Sequence, residues 1–261
     1  MAPYVYRGFS IAPMHSSTIE MDSETVDFFI GEPVDTLGYR HSCRIHAVFC
    51  MLNATDSTII QRVGFPIEPL RGISSGLHLY EFKVRVDGAE IGEIEQSKVK
   101  GSYFDARSNG EYVWCGWENA FRPGETTVEV EYNVVTNNDA QGMLYQNLQY
   151  CLYSGAYWKG VISSAILRIH LPQPAEPEMI LSGTTEGYKV DGSIASWAFD
   201  YFEPPRQDLV FHFIPPKPRS TDKPVFFLIC SRYIDRKKCC LTGKSEGVNA
   251  IAFDQEGALV K

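Results

Sequence analysis

No stretch of this sequence approaches the roughly 18 to 20 uninterrupted apolar residues that a membrane-spanning helix needs, and Val225–Cys230 is among its longest apolar runs. No membrane span is expected. Positive charge is in short supply: 24 Lys and Arg stand against 32 Asp and Glu, a formal net charge of −8. Nothing in that balance provides the basic footprint that neutralises a phosphate backbone, so nucleic acid is not an expected partner. Apolar residues at sustained three-to-four spacing are also missing, which disfavours long amphipathic helices and with them an α/β nucleotide-binding fold. Met1–Ser17 has a single basic residue, Arg7, and its apolar residues are interrupted by Tyr, Pro, Gly and Ser. It therefore lacks the apolar block of a signal peptide, and the expectation is an intracellular protein or one whose leader has been removed. The seven cysteines are an odd number and cannot all pair within the chain.

What the sequence has in quantity is period-two alternation. Val128, Val130, Tyr132 and Val134 interleave with Glu129, Glu131 and Asn133, the pattern of a half-buried strand. Phe82, Val84 and Val86 alternate with Lys83 and Arg85, and Leu167, Ile169 and Leu171 with Arg168 and His170. Trp197, Phe199 and Tyr201 repeat the pattern. Further apolar runs lie at Arg44–Leu52, Thr58–Phe65, Tyr112–Trp117, Leu148–Tyr153 and Leu209–Ile214. Asp87-Gly88 and Asp191-Gly192 suit tight hairpin turns, and Pro123-Gly124 a type II turn. So many short strands predict an all-β fold, an antiparallel β-sandwich of immunoglobulin-like or jelly-roll-like type, with a second, smaller β unit. Pro-rich stretches at Pro172–Pro177 and Ile214–Pro224 set the expected boundaries: an N-terminal arm over 1–18, the main sandwich over 19–172, and the second unit with a C-terminal extension over 178–261.

Five stretches in order resemble domain of unknown function 4424, a bacterial envelope family: IEMDSETVDFFI at Ile19–Ile30, AVFCMLNATDSTIIQRVGFP at Ala47–Pro66, FRPGETTVEVEY at Phe121–Tyr132, YSGAYWKGVISSAILRI at Tyr153–Ile169, and WAFDYFEPPRQDLVFHF at Trp197–Phe213. The resemblance implies an exported, envelope or extracellular β-sandwich with no assigned catalysis, and it supplies no catalytic residues. The missing leader, the cysteine count and the tail after Pro215 depart from that pattern.

Candidate chemistry is weak throughout. Gly72-Ile73-Ser74-Ser75-Gly76 has the G-x-S-x-G spacing of a nucleophile elbow, but it follows a Pro-containing loop and precedes a strand instead of a helix. His41, Cys43, His46 and Cys50 are zinc-ligand residue types, yet on a strand His41 and Cys43 point to one face and His46 and Cys50 to the other. Cys239-Cys240 follows three basic residues, without the C-x-x-C of a redox centre. Acidic pairs such as Glu93 with Glu95, Glu129 with Glu131, and Asp105 near Glu111 read as solvent-facing strand positions. No catalytic residues, metal or cofactor are expected, and the chain is read as non-enzymatic.

Three features remain as candidate sites. The aromatic set Trp114, Trp117, Phe121, Tyr150, Tyr153, Tyr157, Trp158 and Trp197 reads first as core, with Trp158, Tyr157 and Trp117 as the candidate carbohydrate-binding rings and Trp158 the most exposed. Asn53-Ala54-Thr55 is an N-glycosylation sequon. Tyr4, Tyr6, Phe9 and Ile11 make the arm too apolar for an idle tail, and they predict self-association into a homo-oligomer or filament by strand addition. The expected function is a structural or cell-surface protein, with a carbohydrate-binding module as the alternative and a hydrolase third.

Overall fold

In the computed structural model, the described residues are 7–9, 11–13, 17–33, 41–67, 80–100, 111–135, 137–138, 146–176, 179–181, 184–203, 209–214, 252–253 and 259–260. The strands, in chain order, are β1 (Arg7–Phe9), β2 (Ala12–Pro13), β3 (Glu20–Pro33), β4 (His41–Asn53), β5 (Ile59–Ile67), β6 (Tyr80–Val86), β7 (Ala89–Glu90), β8 (Glu95–Lys100) and β9 (Glu111–Phe121). They continue as β10 (Gly124–Val135), β11 (Asn137–Asn138), β12 (Gln146–Cys151), β13 (Ile162–His170), β14 (Lys189–Asp191), β15 (Ile194–Phe202), β16 (Leu209–Phe213), β17 (Ala252–Phe253) and β18 (Leu259–Val260). One 3-10 turn spans Leu152–Tyr157, and no α-helix occurs among the described residues.

The fold is all-β and sandwich-like. One layer is an eight-stranded sheet in the order β14-β15-β13-β3-β4-β10-β6-β7. Facing it are two four-stranded sheets, one in the order β2-β5-β9-β8 and one built of β1, β12, β11 and β16. Their inner faces fuse into one core. Val26, Phe28, Ile45, Phe49, Val130, Leu167 and Trp197 of the large sheet join Val63, Phe65 and Trp117 of the first small sheet and Leu148, Tyr150, Phe211 and Phe213 of the second. Alternation supplies this core: along β4 the burial alternates from His41 to Asn53 without a break, so every second side chain leaves water.

The turns obey their local chemistry. Asp87 and Gly88 both have positive φ, 48° and 79°, as a type I′ hairpin requires, and Gly124 at 95° fits the second central position of a type II turn. Two pairings depart from the expected antiparallel arrangement. β3 runs parallel to β13, and β1 runs parallel to β12. Parallel neighbours need a crossover, and β3 meets its partner only about 140 residues later along the chain, as the separations of 141 and 143 between paired residues show.

The boundary expected between 172 and 178 is corrected. β15 pairs with β13 from Ile162↔Phe202 to His170↔Ile194, β14 pairs with β15, and β16 pairs with β12, so these three strands complete the sandwich. The described part of that Pro-rich stretch, 172–176, lies between strands of one core. The chain divides instead at 218/219 into a unit of Met1–Pro218 and a unit of Arg219–Lys261. In the second unit the described residues are the antiparallel pair β17 and β18.

The described residues of the arm expected over 1–18 are also built into this fold. Arg7–Phe9 pairs with Gln149–Cys151, and Ala12–Pro13 pairs with Gly64 and Val63 of β5. Ile11 and Ala12 are fully buried. Trp158 Nε1 donates to the Ile11 carbonyl at 2.9 Å, and Ser17 Oγ donates to Gln61 Oε1 at 2.7 Å.

Candidate functional site

The structure disperses most of the sequence-predicted sites. Trp158 and Trp117 are buried, and Tyr157 is half-buried against the small cluster of Ala12 and Trp114. Trp158 lies edge-on to Phe121 at 6.2 Å while its indole N–H is taken by Ile11. Trp114 and Trp197 are buried as well. The ring platform expected of Trp158, Tyr157 and Trp117 is therefore not formed: Trp117, within β9, and Trp158, just after the 3-10 turn, are core, because a large ring gains more by leaving water than by staying in it, and Tyr157 is half-buried.

Asn53 is corrected too. It is only 2% exposed, at the corner where β4 leads into β5 and β9 leads into β10. Its Nδ2 donates to the Ser57 carbonyl at 2.8 Å and to the Phe121 carbonyl at 2.9 Å, and its Oδ1 accepts from the Thr55 N–H and hydroxyl at 3.0 and 2.7 Å. Two donors and two acceptor lone pairs are all used, so no nitrogen remains for a glycan. Asn-x-Thr here encodes a turn that pins two crossings between the sheets.

Of the self-association residues, Ile11 lies in the core and Phe9 is on β1, paired within its own chain. Tyr4 and Tyr6 lie outside the described residues, as do the side chain of Phe9, the Gly72–Gly76 loop, Asp105 and Cys239-Cys240. His41 and Cys43 are buried on the inner face of β4, and His46 and Cys50 are half-buried on its outer face. His41 Nδ1 bonds to the Gly31 carbonyl at 2.9 Å. Among the described residues no group of three or more His, Cys, Asp or Glu side chains is placed to hold a metal. Burial raises the Cys43 thiol pKa above the ordinary range and pushes that of Cys115 up to about 11.

The organised chemistry lies elsewhere, on the outer face of the eight-stranded sheet. Register aligns side chains across strands there in rows. One row runs His170, Phe29, Arg44 and Asn133 across β13, β3, β4 and β10. The next runs Arg168, Asp27, His46, Glu131 and Lys83, ending on β6.

Within these rows the contacts are specific. The Phe29 and His170 rings stack at 4.4 Å with planes 15° apart, and the Arg44 guanidinium sits over the Phe29 ring, 4.5 Å from its centre. Asp27 bonds His170 Nε2 at 2.6 Å and accepts from Arg168 Nη2 at 3.0 Å, with Arg168 Nε 2.9 Å away in the same ion pair but not aligned to donate. Nearer β6, Glu129 reaches His46 at 3.5 Å and Arg85 at 3.8 Å. These are partly exposed pairs, so each stabilises the fold by about 1 kcal/mol or less. Their larger effect is to fix the rings and guanidiniums in one arrangement.

Alternation in the sequence places Arg168, His170 and Glu129 on solvent-facing positions. It does not bring Asp27, Phe29 and Arg44 to them. The signal available was an aromatic residue, Phe29, at an outer position beside the inner Phe28, a break in the polar-out pattern of β3.

Comparison of the sequence with family models gives no match, and comparison with curated proteins gives none. Among solved structures, the chain is similar to one described as a "putative nutrient binding protein" from Legionella pneumophila. The TM-score is 0.60 at 19% identity, over 82% of this chain and 73% of that one. Leukotriene A4 hydrolase from Saccharomyces cerevisiae overlaps at a TM-score of 0.33 and 10% identity, over 74% of this chain and 29% of that one, which is too slight to carry an argument. The likeness to the Legionella protein establishes a shared fold and nothing finer.

Proposed function

We propose that this chain is a non-enzymatic β-sandwich of the cell envelope or cell surface that works by binding, and that it binds through the outer face of its eight-stranded sheet. The observation that carries the reading is the ordered side-chain assembly on that face: Asp27 holding Arg168 and His170, and Phe29 stacked between His170 and Arg44. A face that only meets water has no need of aligned rings and guanidiniums, whereas a binding surface gains affinity when its anchors are ordered before the partner arrives. A binding role is also what the description of the Legionella protein names.

The two other binding modes have less support. The sugar-stacking reading loses its rings to the core. Assembly by strand addition meets short ends of the large sheet, three residues in β14 and two in β7, and shortening edge strands is a common protection against such pairing.

The test is retention of partners by the immobilised full chain from a panel of envelope polysaccharides and solubilised envelope proteins, compared with a Phe29→Ala/His46→Ala variant matched for urea midpoint. Species held by the natural sequence and released by the variant are expected. Equal retention by both would sink the reading.

A further inference from the structure

Three of the six methionines lie among the described residues. Met21 and Met51 belong to the common hydrophobic core, 1% and 0% exposed. Met179 stands outside that cluster, in the connection from β13 to β14, and is 8% exposed. Two N–H donors meet its thioether. The Glu176 N–H donates to Met179 Sδ at 3.5 Å, and the Gln173 side-chain amide donates to the same sulfur at 4.0 Å. The turn that holds them is closed by the Met179 N–H, which donates to the Glu176 carbonyl at 2.9 Å. Backbone bonds anchor it on both sides: the Ala175 N–H donates to the Gly192 carbonyl at 2.9 Å, and the Met179 carbonyl accepts from the Ile214 N–H at 2.7 Å.

A thioether sulfur is a weak acceptor, so the two N–H groups aimed at it gain little from the contact. Oxidation changes that. A sulfoxide is polar, and in an apolar setting its oxygen disrupts the packing around a methionine because nothing there can bond it. At Met179 the oxygen would enter where two donors already point. The residues that cover the sulfur from the solvent side, Gln173, Pro174 and Glu176, are exposed and can move to admit it.

We infer that Met179 is a site of reversible oxidation by peroxide, arranged to take up the oxygen without loss of the fold. A lone pair of Sδ attacks one peroxide oxygen, and the S–O bond forms as the O–O bond breaks. Sulfur gives up two electrons, and the departing hydroxide takes the proton of the transferred hydroxyl to leave as water. A thiol-dependent reductase returns the sulfoxide to the thioether, its two thiols becoming a disulfide as the oxygen leaves as water. The two lone pairs of the sulfur give opposite epimers. Both donors come from one segment, 173–176, so one epimer gains their bonds and the other does not. The assignment is independent of whether the outer face of the large sheet binds.

The experiment treats the full folded chain with dilute hydrogen peroxide and follows each methionine by peptide mapping, the epimers being told apart by reductases of opposite specificity. Met179 is expected to oxidise several-fold faster than Met21 and Met51. One epimer is expected in about fivefold excess, the factor that one net hydrogen bond supplies. Gln173→Ala, which removes an exposed side chain, should bring the two epimers toward equality. The reductase that matches the favoured epimer should restore Met179 in the folded chain. For stability the reference is Met179→Leu, a substitution that nearly conserves volume, given the same peroxide dose. Oxidation at every other methionine is common to both chains, so peroxide should lower the urea midpoint of the natural sequence no more than that of Met179→Leu. Oxidation of Met179 no faster than that of Met21 and Met51, equal epimers in the natural sequence, an excess untouched by Gln173→Ala, a sulfoxide that neither reductase removes from the folded chain, or a larger loss of midpoint in the natural sequence would each overturn the assignment.

Discussion

Phe28 and Phe29 are neighbours on one strand, and they live in different surroundings. Phe28 points inward, 2% exposed, with its ring edge-on to Tyr150 at 5.8 Å within the common core. Phe29 points outward, half-buried between the imidazole of His170 and the guanidinium of Arg44. The inner ring is held by being removed from water, a non-directional force that accepts any well-packed apolar neighbour. The outer ring is held by a stack that specifies which groups surround it and how they are turned. The inner face thus accounts for the fold, and the outer face carries chemistry that the fold does not need.

The strongest way to break that contrast is through the N-terminal segment, which belongs to the inner side despite being a terminus. Removing Met1–Ser17 strips β1 from β12 and β2 from β5, uncovers the space of Ile11 and Ala12, and leaves the buried Trp158 N–H without its acceptor. One such large-to-small loss costs about 2–5 kcal/mol, and an orphaned buried donor about 1–3 kcal/mol more. Against a typical domain stability of about 5–15 kcal/mol, the truncated chain should lose most of its cooperative urea transition. An unchanged urea midpoint would mean that the segment frays from the sandwich.

The neighbouring rings give the sharper comparison. Phe28→Ala should destabilise by about 3–5 kcal/mol, the cost of truncating a buried aromatic ring. Phe29→Ala should destabilise by about 1 kcal/mol, since it removes a stack and a partly exposed cation contact. Equilibrium urea unfolding of both variants measures the difference. Equal losses would place Phe29 in the core's energetics and remove the reason to assign it a separate role.

How much of this was legible in the sequence follows from which forces leave a local trace. Alternation around Val128–Val134, Phe82–Val86 and Leu167–Ile169 located β10, β6 and β13, because burial of every second residue is written in neighbouring letters. The opposite faces of Cys43 and Cys50 followed from the same period. Trp197, Phe199 and Tyr201 also alternate, but Tyr201 has φ 47° and is 78% exposed, so the strand turns away from the core before its pattern ends. Register across distant strands leaves no such trace. Asp27 meets Arg168 and His170 only through the parallel pairing of β3 with β13, so the face network could not be read from spacing. Asn53 shows the reverse failure, a three-residue pattern that satisfies a glycosylation rule while serving as a turn.

The smallest expected effect compares the two faces of β4 through their thiols. Cys43 lies inward and fully buried, and Cys50 lies outward and half-buried. Burial raises the pKa of both. For Cys50 the neighbouring carboxylates of Glu125 and Asp22 add to desolvation. The thiolate is the reacting form, so a raised pKa means less of it at any given pH. In the folded protein iodoacetamide at pH 8 should therefore alkylate Cys50, at a rate below that of an unhindered thiol, and leave Cys43 and Cys115 untouched until urea unfolds the chain. Raising salt should speed Cys50 modestly, because screening weakens the repulsion that Glu125 and Asp22 exert on a thiolate, while the desolvation part stays. The sign for stability is opposite to that of a paired carboxylate. The unfolded thiols lose protons first, near pH 9, so stability is complete below that value and falls as pH rises toward the folded pKa, about 11 for Cys115. Peptide mapping by mass spectrometry resolves each site. Alkylation of Cys43 in the folded state as fast as that of Cys50 would show that the inner face of β4 opens to solvent, and the contrast between the two faces would fail at its centre.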